Sequence, residues 1–347
     1  LSIFELIQHA GLGGIIFQPE TLSGGALHKM IKLQTSKGVF AVKEINPHIV
    51  AKENFKTAYE LAESIAEHFK IAHIPAISAL RINDQYVTKL GRKAYIIYPY
   101  VDGQILSEKE ITTAHVSKIG KIYAAMHATR LNIPGVDVSH YDFFNNDDWI
   151  QLIKSSNSQE LNNLLPNILN WNNHFEISIP ILNTELVITH RDMHSKNVLW
   201  DANGTPHIID WESAGLMNPG LEVIGYGLEW SRILLNHAIN WSLFEALINS
   251  YHEHSTGKIK TDPQVAFWGW LGHCVLGWTA FNIQRMIGNI SKEQQEINLG
   301  RKIIDNVMLP CLNYIAEHEK SILDKLSIGN KENHQVFKTS LPENKPT

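Results

Sequence analysis

The sequence predicts an α+β fold: a small β-rich lobe over residues 1–100, a larger and mostly helical lobe over 101–326, and a polar tail over 327–347. Alternating apolar runs bounded by turn residues fill much of the first hundred positions. Apolar residues at three- and four-residue spacing take over from about residue 111. A short strand, loop and hairpin, "LVITHRDMHSKNVLWDANGTPHIIDW", breaks into the helical part.

Along the chain, "HKMIKLQTSKGVFAVKEI" gives alternating runs at 30–33 and 39–45 around a turn at Ser36, Lys37 and Gly38. Residues 55–69 place Phe55, Ala58, Leu61, Ala62, Ile65 and Phe69 on one helical face. "QYVTKLGRKAYIIYPYVDG" is a second hairpin-like pair, turning near Gly91. Residues 111–129 read as a helix, as do 155–170 and most of 228–326. Asn203 and Gly204 are a strong turn signal between "NVLW" and "HIID".

Composition is that of an ordinary globular protein, with 44% apolar and 19% charged residues. A net charge of −5 and no basic patch argue against a nucleic-acid partner. Cys274 and Cys311 sit in apolar surroundings outside any C-x-x-C, as expected of core residues in a reducing, cytoplasmic compartment. The opening "LSIFELIQHAG" has helical spacing and Glu5 rather than a secretory leader pattern. Residues 265–284 lack Asp, Glu, Lys and Arg and are just long enough to cross a bilayer. They also hold His273, Asn282 and Gln284 and follow a helix-start signal at Asp262-Pro263. A buried core helix is therefore expected there, and no membrane partner.

The strand–loop–hairpin unit brings together Asp192, Asn197 and Asp210 at one end of a small sheet. A carboxylate that accepts the proton of an attacking hydroxyl, beside a carboxylate and an amide oxygen that hold Mg²⁺, are the parts that phosphoryl transfer needs. Hard oxygen donors suit magnesium rather than zinc. Each residue alone would pass as a turn former; "HRDMHSKN" followed by "IIDWE" in this context is a far stronger signal. His190 and His194 are four apart, but on a strand-to-loop junction rather than a helix, so they are expected to orient the loop and not to bind zinc.

These motifs resemble those of the aminoglycoside phosphotransferase and choline kinase family, small-molecule kinases on a two-lobed, protein-kinase-like fold. "IYAAMHATR" with His127, "YPYVDGQIL", "LSGGALHKMIKL" and "GVFAVKE" extend the resemblance over roughly residues 22–225. The resemblance implies Asp192 as catalytic base and Asn197 and Asp210 as Mg²⁺ ligands. It also implies Lys43 as the residue on the α- and β-phosphates of ATP or GTP. Glu60 is the first choice as partner of Lys43, with Glu63 and Glu53 as alternatives. Ser23, Gly24 and Gly25 would let backbone approach the phosphates, and the backbone around Pro99 and Val101 would meet the base. Arg191 departs from the pattern, since many members place glycine there.

The implied activity is transfer of the γ-phosphate to a hydroxyl of a small molecule. A protein kinase, or a nucleotide-binding member without chemistry, is the alternative. Against the first, Trp211-Glu212 follow Asp210 and no A-P-E appears; against the second, Lys43, Asp192, Asn197 and Asp210 are all present. Glu212, Glu229, Asp147 and Asp148 are candidates to face a cationic acceptor. Trp268 is a candidate aromatic platform. Phe267, Trp270, Leu271, Cys274, Trp278 and Phe281 fall on one helical stripe expected to be core.

Overall fold

The computed structural model describes residues 3–22, 28–107, 109–136, 141 and 144–335. The chain forms two compact units that do not divide at residue 100: one comprises Leu1–Ile111, Ala125–Asp137 and Ile188–Leu216, the other Thr112–Ala124, Val138–Val187 and Met217–Thr347. The strand–loop–hairpin unit thus packs with the N-terminal sheet's unit, where Ile77 N–H donates to the Ile208 carbonyl and Ile208 N–H to that of Pro75.

In the first unit, helix α1 (Ile3–His9) precedes strands β1 (Glu20–Leu22), β2 (Lys29–Thr35) and β3 (Gly38–Glu44). Helices α2 (Pro47–Val50) and α3 (Phe55–Ile71) follow, then β4 (Val87–Leu90), β5 (Lys93–Pro99) and β6 (Gly103–Ile105). The first five strands form one antiparallel sheet in the order β1-β2-β3-β5-β4. Gly91, at φ +60°, makes the β4–β5 turn, a left-handed position that glycine takes without steric cost. Side chains alternate between the faces of a strand. Val42 and Ile97 join Leu6 and Leu33 on the α1 side, while Ala94 and Ile96 join Phe55 and Tyr59 on the α3 side. Lys43 stands opposite Ile96 across the β3–β5 ladder, and so points to the α3 side. Later in the chain come β7 (Val187–Thr189), β8 (Val198–Asp201), β9 (Pro206–Ile208) and β10 (Gly215–Met217). β6, β8 and β9 make one sheet, β7 and β10 another.

The second unit is helical: α4 (Thr113–Thr129, entering the first unit at Ala125), α5 (Asn146–Ser156), α6 (Gln159–Leu182), α7 (Pro219–Trp230), α8 (Ile233–Asn236) and α9 (Trp241–His254). The single helix expected over 155–170 is two, because Asn157 turns left-handed at φ +53° and the Ser158 hydroxyl accepts from Leu161 N–H to start α6. The last helices are α10 (Pro263–Trp270), α11 (Gly277–Met286), α12 (Gln294–Ile303) and α13 (Leu309–Gln335). π-helical turns at Leu271–Leu276 and Ile304–Met308 join them pairwise. The first π turn corrects the predicted core stripe. Phe267, Trp270 and Leu271 are fully buried as expected, but Trp278 and Phe281 are 45% and 37% exposed. A π turn adds a residue to the helical repeat, so the buried face beyond it shifts to Thr279, Ala280, Asn282 and Ile283. Among the described residues no helix is long and apolar enough to cross a membrane.

Gly120 on α4 meets α9 so closely that a Cβ would lie 2.2 Å from the Leu247 carbonyl oxygen, and backbone cannot yield as a side chain can. Gly120→Ala is expected to lower stability by about 1–3 kcal/mol in urea denaturation. Gly257→Ala, with nothing within 4 Å of the new Cβ, is expected to be near neutral by comparison.

Candidate active site

The loop after β7 is fixed by its own polar groups. His190 is fully buried; its Nδ1 accepts from Asp192 N–H at 3.2 Å, so the neutral ring carries its proton on Nε2 and donates to the Ile209 carbonyl at 2.9 Å. One imidazole thereby ties the Asp192 loop to the end of β9. His194 caps the turn at Ser195–Asn197 through Nδ1, and its Nε2 lies 3.6 Å from Asp192 Oδ1. Burial, with the charge of Lys196, lowers His194 to about 4, so it is neutral at physiological pH. Arg191 between them sits at φ +65°. That conformation is costly for a side chain and accounts physically for the glycine that the resemblance leads one to expect there.

Asn197 donates from Nδ2 to both the Asp192 carbonyl (2.8 Å) and its carboxylate Oδ2 (3.1 Å). Its nitrogen end being so committed, the amide oxygen is the end left to meet a cation. Asp210 holds φ +62° and ψ +63° just after β9. Trp211 anchors that strained turn: it is buried, stacks on Phe69 of α3 at 5.3 Å and donates to the Ile208 carbonyl. Burial and the neighbouring Asp210 carboxylate push Asp192 up to about 7, against the lowering effect of its Asn197 hydrogen bond. Asp210, close enough for its charge to act on Asp192, and the amide oxygen of buried Asn197 are hard oxygen donors of the kind that would suit Mg²⁺.

Lys43 Nζ lies 2.9 Å from Asp210 Oδ1 and 2.5 Å from Glu212 Oε1. Burial alone would lower the lysine's pKa; the charges and hydrogen bonds of Asp210 and Glu212 outweigh it and raise the pKa. Burial would likewise raise Glu212, yet His28 and Lys43 hold it down at about 2.

The expectation for Glu60 is corrected. Its carboxylate accepts from the backbone N–H groups of Tyr86 (3.1 Å) and Val87 (2.9 Å) and serves the start of β4. Glu63, the alternative, is buried and accepts from Tyr98 Oη (2.5 Å) and Ala79 N–H (2.9 Å). The direct partner of Lys43 besides Asp210 is Glu212, which the sequence had suggested as an acceptor contact. The other acceptor candidates are also engaged structurally. Glu229 accepts from Trp270 Nε1 at 3.1 Å. Trp268 is 7% exposed and stacks on His174 at 4.4 Å, so its ring belongs to the helical core. Asp148 completes the capping box of α5 with Asn145, and Asp147 lies in the same first turn. Pro99 ends β5, and the Val101 carbonyl accepts from Gly103 N–H at 3.1 Å. Ser23, Gly24 and Gly25 lie outside the described residues. Sequence reasoning missed His28 and Tyr59, which contact Glu212. The available signal was Tyr59 and Glu63, one turn apart between Phe55 and Ala66 on α3.

Residues 19–240 match the Phosphotransferase enzyme family (APH). A spectinomycin phosphotransferase solved with ADP and spectinomycin aligns at TM-score 0.67 and 15% identity, over 89% of this chain and 96% of that one. Choline kinase LicA from Streptococcus pneumoniae aligns at TM-score 0.53 and 15% identity, over 88% and 99%. Plasmodium vivax ethanolamine kinase aligns at 0.53 and 15%, over 85% and 82%. At these identities the likeness establishes the fold, the protein-kinase-like one. No curated protein sequence matches the chain.

Burial raises the Glu63 carboxyl from 4.5 to about 7. Between those values the folded protein holds a proton that the unfolded chain has released, so stability falls as pH rises through that window and is level above it. The full loss is on the order of 3 kcal/mol. Glu63→Gln, which cannot ionise, is expected to show a flatter dependence of urea midpoint on pH over this window than the unmodified protein.

Proposed function

Because the chain belongs to the Phosphotransferase enzyme family, we propose that it transfers the γ-phosphoryl group of ATP or GTP to a hydroxyl of a small molecule in the presence of Mg²⁺. The observation that carries this reading is the Asp192–Asn197 pair on a loop pinned by His190, with Asp210 and Lys43 beside it. Asp192 would accept the proton of the attacking hydroxyl. Asn197 and Asp210 would hold the metal, which when bound neutralises phosphate charge. Lys43 supplies a buried, permanently protonated ammonium for the nucleotide's phosphate oxygens. Little covalent chemistry is asked of the protein; rigid placement and charge compensation supply the rate.

The acceptor class follows from the family rather than from Glu212, Glu229 or Trp268: amino-alcohols, aminoglycosides and sugar-like metabolites are the compounds to try. Transfer is expected with at least one compound of such a panel, assayed with ATP and with GTP. Asp192→Ala is expected to lower its rate by about 10²–10⁴ while nucleotide still binds. An unchanged rate removes the base assignment. Absence of any nucleotide binding by the unmodified protein in the presence of Mg²⁺ contradicts the phosphotransferase reading.

A further inference from the structure

We propose that Glu212 is a positioning residue for Lys43: clamped by His28 and Tyr59, it holds the ammonium where a nucleotide's phosphates will meet it, in place of a glutamate on α3. The proposal rests on the phosphotransferase reading and deepens it, since it gives Glu212 a part in placing the lysine that meets the nucleotide.

The carboxylate is gripped by donors from separate parts of the first unit. Oε1 receives Lys43 at 2.5 Å and lies 3.2 Å from His28 Nε2. Oε2 accepts from Tyr59 Oη at 2.8 Å and lies 3.3 Å from the same imidazole nitrogen. Asn46 N–H donates to His28 Nδ1 at 3.1 Å, which leaves Nε2 to face the Glu212 carboxylate and the Tyr59 hydroxyl, 3.0 Å away. β3 contributes the lysine, α3 the tyrosine, the start of α2 the backbone that sets the imidazole, and the turn after β9 the carboxylate. A carboxylate so surrounded cannot swing. The three glutamates of α3 are committed elsewhere, Glu60 to Tyr86 and Val87, Glu63 to Tyr98 and Ala79, and Glu67 to Arg81 and Tyr86.

The arrangement has a direct consequence for turnover. An ammonium has three N–H donors. Glu212 and Asp210 each receive one from Lys43, and one remains for a phosphate oxygen. Were Asp210 to hold a metal ion, Glu212 would still hold the lysine, so its charge would not be redirected.

The test compares the unmodified protein with Glu212→Gln, Glu212→Asp and Glu63→Gln by two readouts. The first is acylation of Lys43 by an N-hydroxysuccinimide ester, mapped by mass spectrometry without nucleotide. Glu212→Gln is expected to label Lys43 about tenfold faster, Glu63→Gln at the unmodified rate, and Glu212→Asp in between. The second is calorimetric titration with Mg·ATP and Mg·GTP. Glu212→Gln is expected to weaken binding of the preferred nucleotide by about 10- to 100-fold, the range for a hydrogen bond between charged groups, with no change in the Mg²⁺ concentration needed for half-saturation. Tyr59→Phe, a milder change that keeps the ring packed, is expected to weaken binding less, and to add nothing in the Glu212→Gln background.

Faster labelling in Glu63→Gln but not Glu212→Gln overturns the proposal in favour of the helix glutamate. Recovery of Glu212→Gln affinity on raising Mg²⁺ overturns it in favour of a metal ligand. An effect confined to the acceptor's KM overturns it in favour of acceptor binding. An unmodified protein that binds neither nucleotide overturns the phosphotransferase reading and this one together, and is told apart from the other outcomes because it appears before any substitution is made.

Discussion

A buried ammonium is the constraint around which the first unit is organised. Lys43 is 7% exposed, and an unpaired charge at that depth would release its proton or unfold its surroundings. Asp210 and Glu212 prevent both. Their placement requires the chain to turn left-handed at Asp210 directly after β9, and that turn requires Trp211 to be wedged against Phe69. α3 therefore carries more than packing: Phe69 receives the tryptophan, Tyr59 grips Glu212, and Glu63 ties the helix to Tyr98 on β5 and to the backbone of Ala79. The N-terminal sheet and the strand–loop–hairpin unit are distant in sequence but meet at this one charge cluster.

The same logic governs the loop that carries Asp192. Its backbone is strained at Arg191, and strain persists only where neighbours over-determine it. His190 does so by bonding at both ring nitrogens, and Asn197 does so by closing on the Asp192 carbonyl and carboxylate together. Rigid presentation of Asp192 is what the proposed reaction, governed by positioning, would demand.

How much of this was legible in the sequence depended on the range of the interaction. Asp192, Asn197 and Asp210 lie within one supersecondary unit, so the motif and its hairpin turn signal located them together. The strand pairs around 36–38 and Gly91 were legible for the same reason. Partnership with Lys43 was not, because it is decided by which carboxylate lies within reach across more than 160 residues of chain. Counting apolar positions on α3 picked Ala58 and Leu61, whereas the buried face takes Tyr59, Glu63 and Ala66. A polar residue that is buried because it is bonded is invisible to a pattern that scores only hydrophobicity. The exposed Trp278 and Phe281 have another cause: a π turn changes the helical repeat locally, and a fixed period carried past it names the wrong face.

The proposed activity is phosphoryl transfer to a small hydroxyl compound. The most direct measurement is a ³¹P NMR time course of the unmodified protein with Mg²⁺, ATP or GTP, and pooled amino-alcohols, aminoglycosides and sugars. The account predicts that a phosphomonoester resonance grows in step with the nucleoside diphosphate. Nucleotide left intact, or consumed only to inorganic phosphate with every acceptor pool, would contradict it.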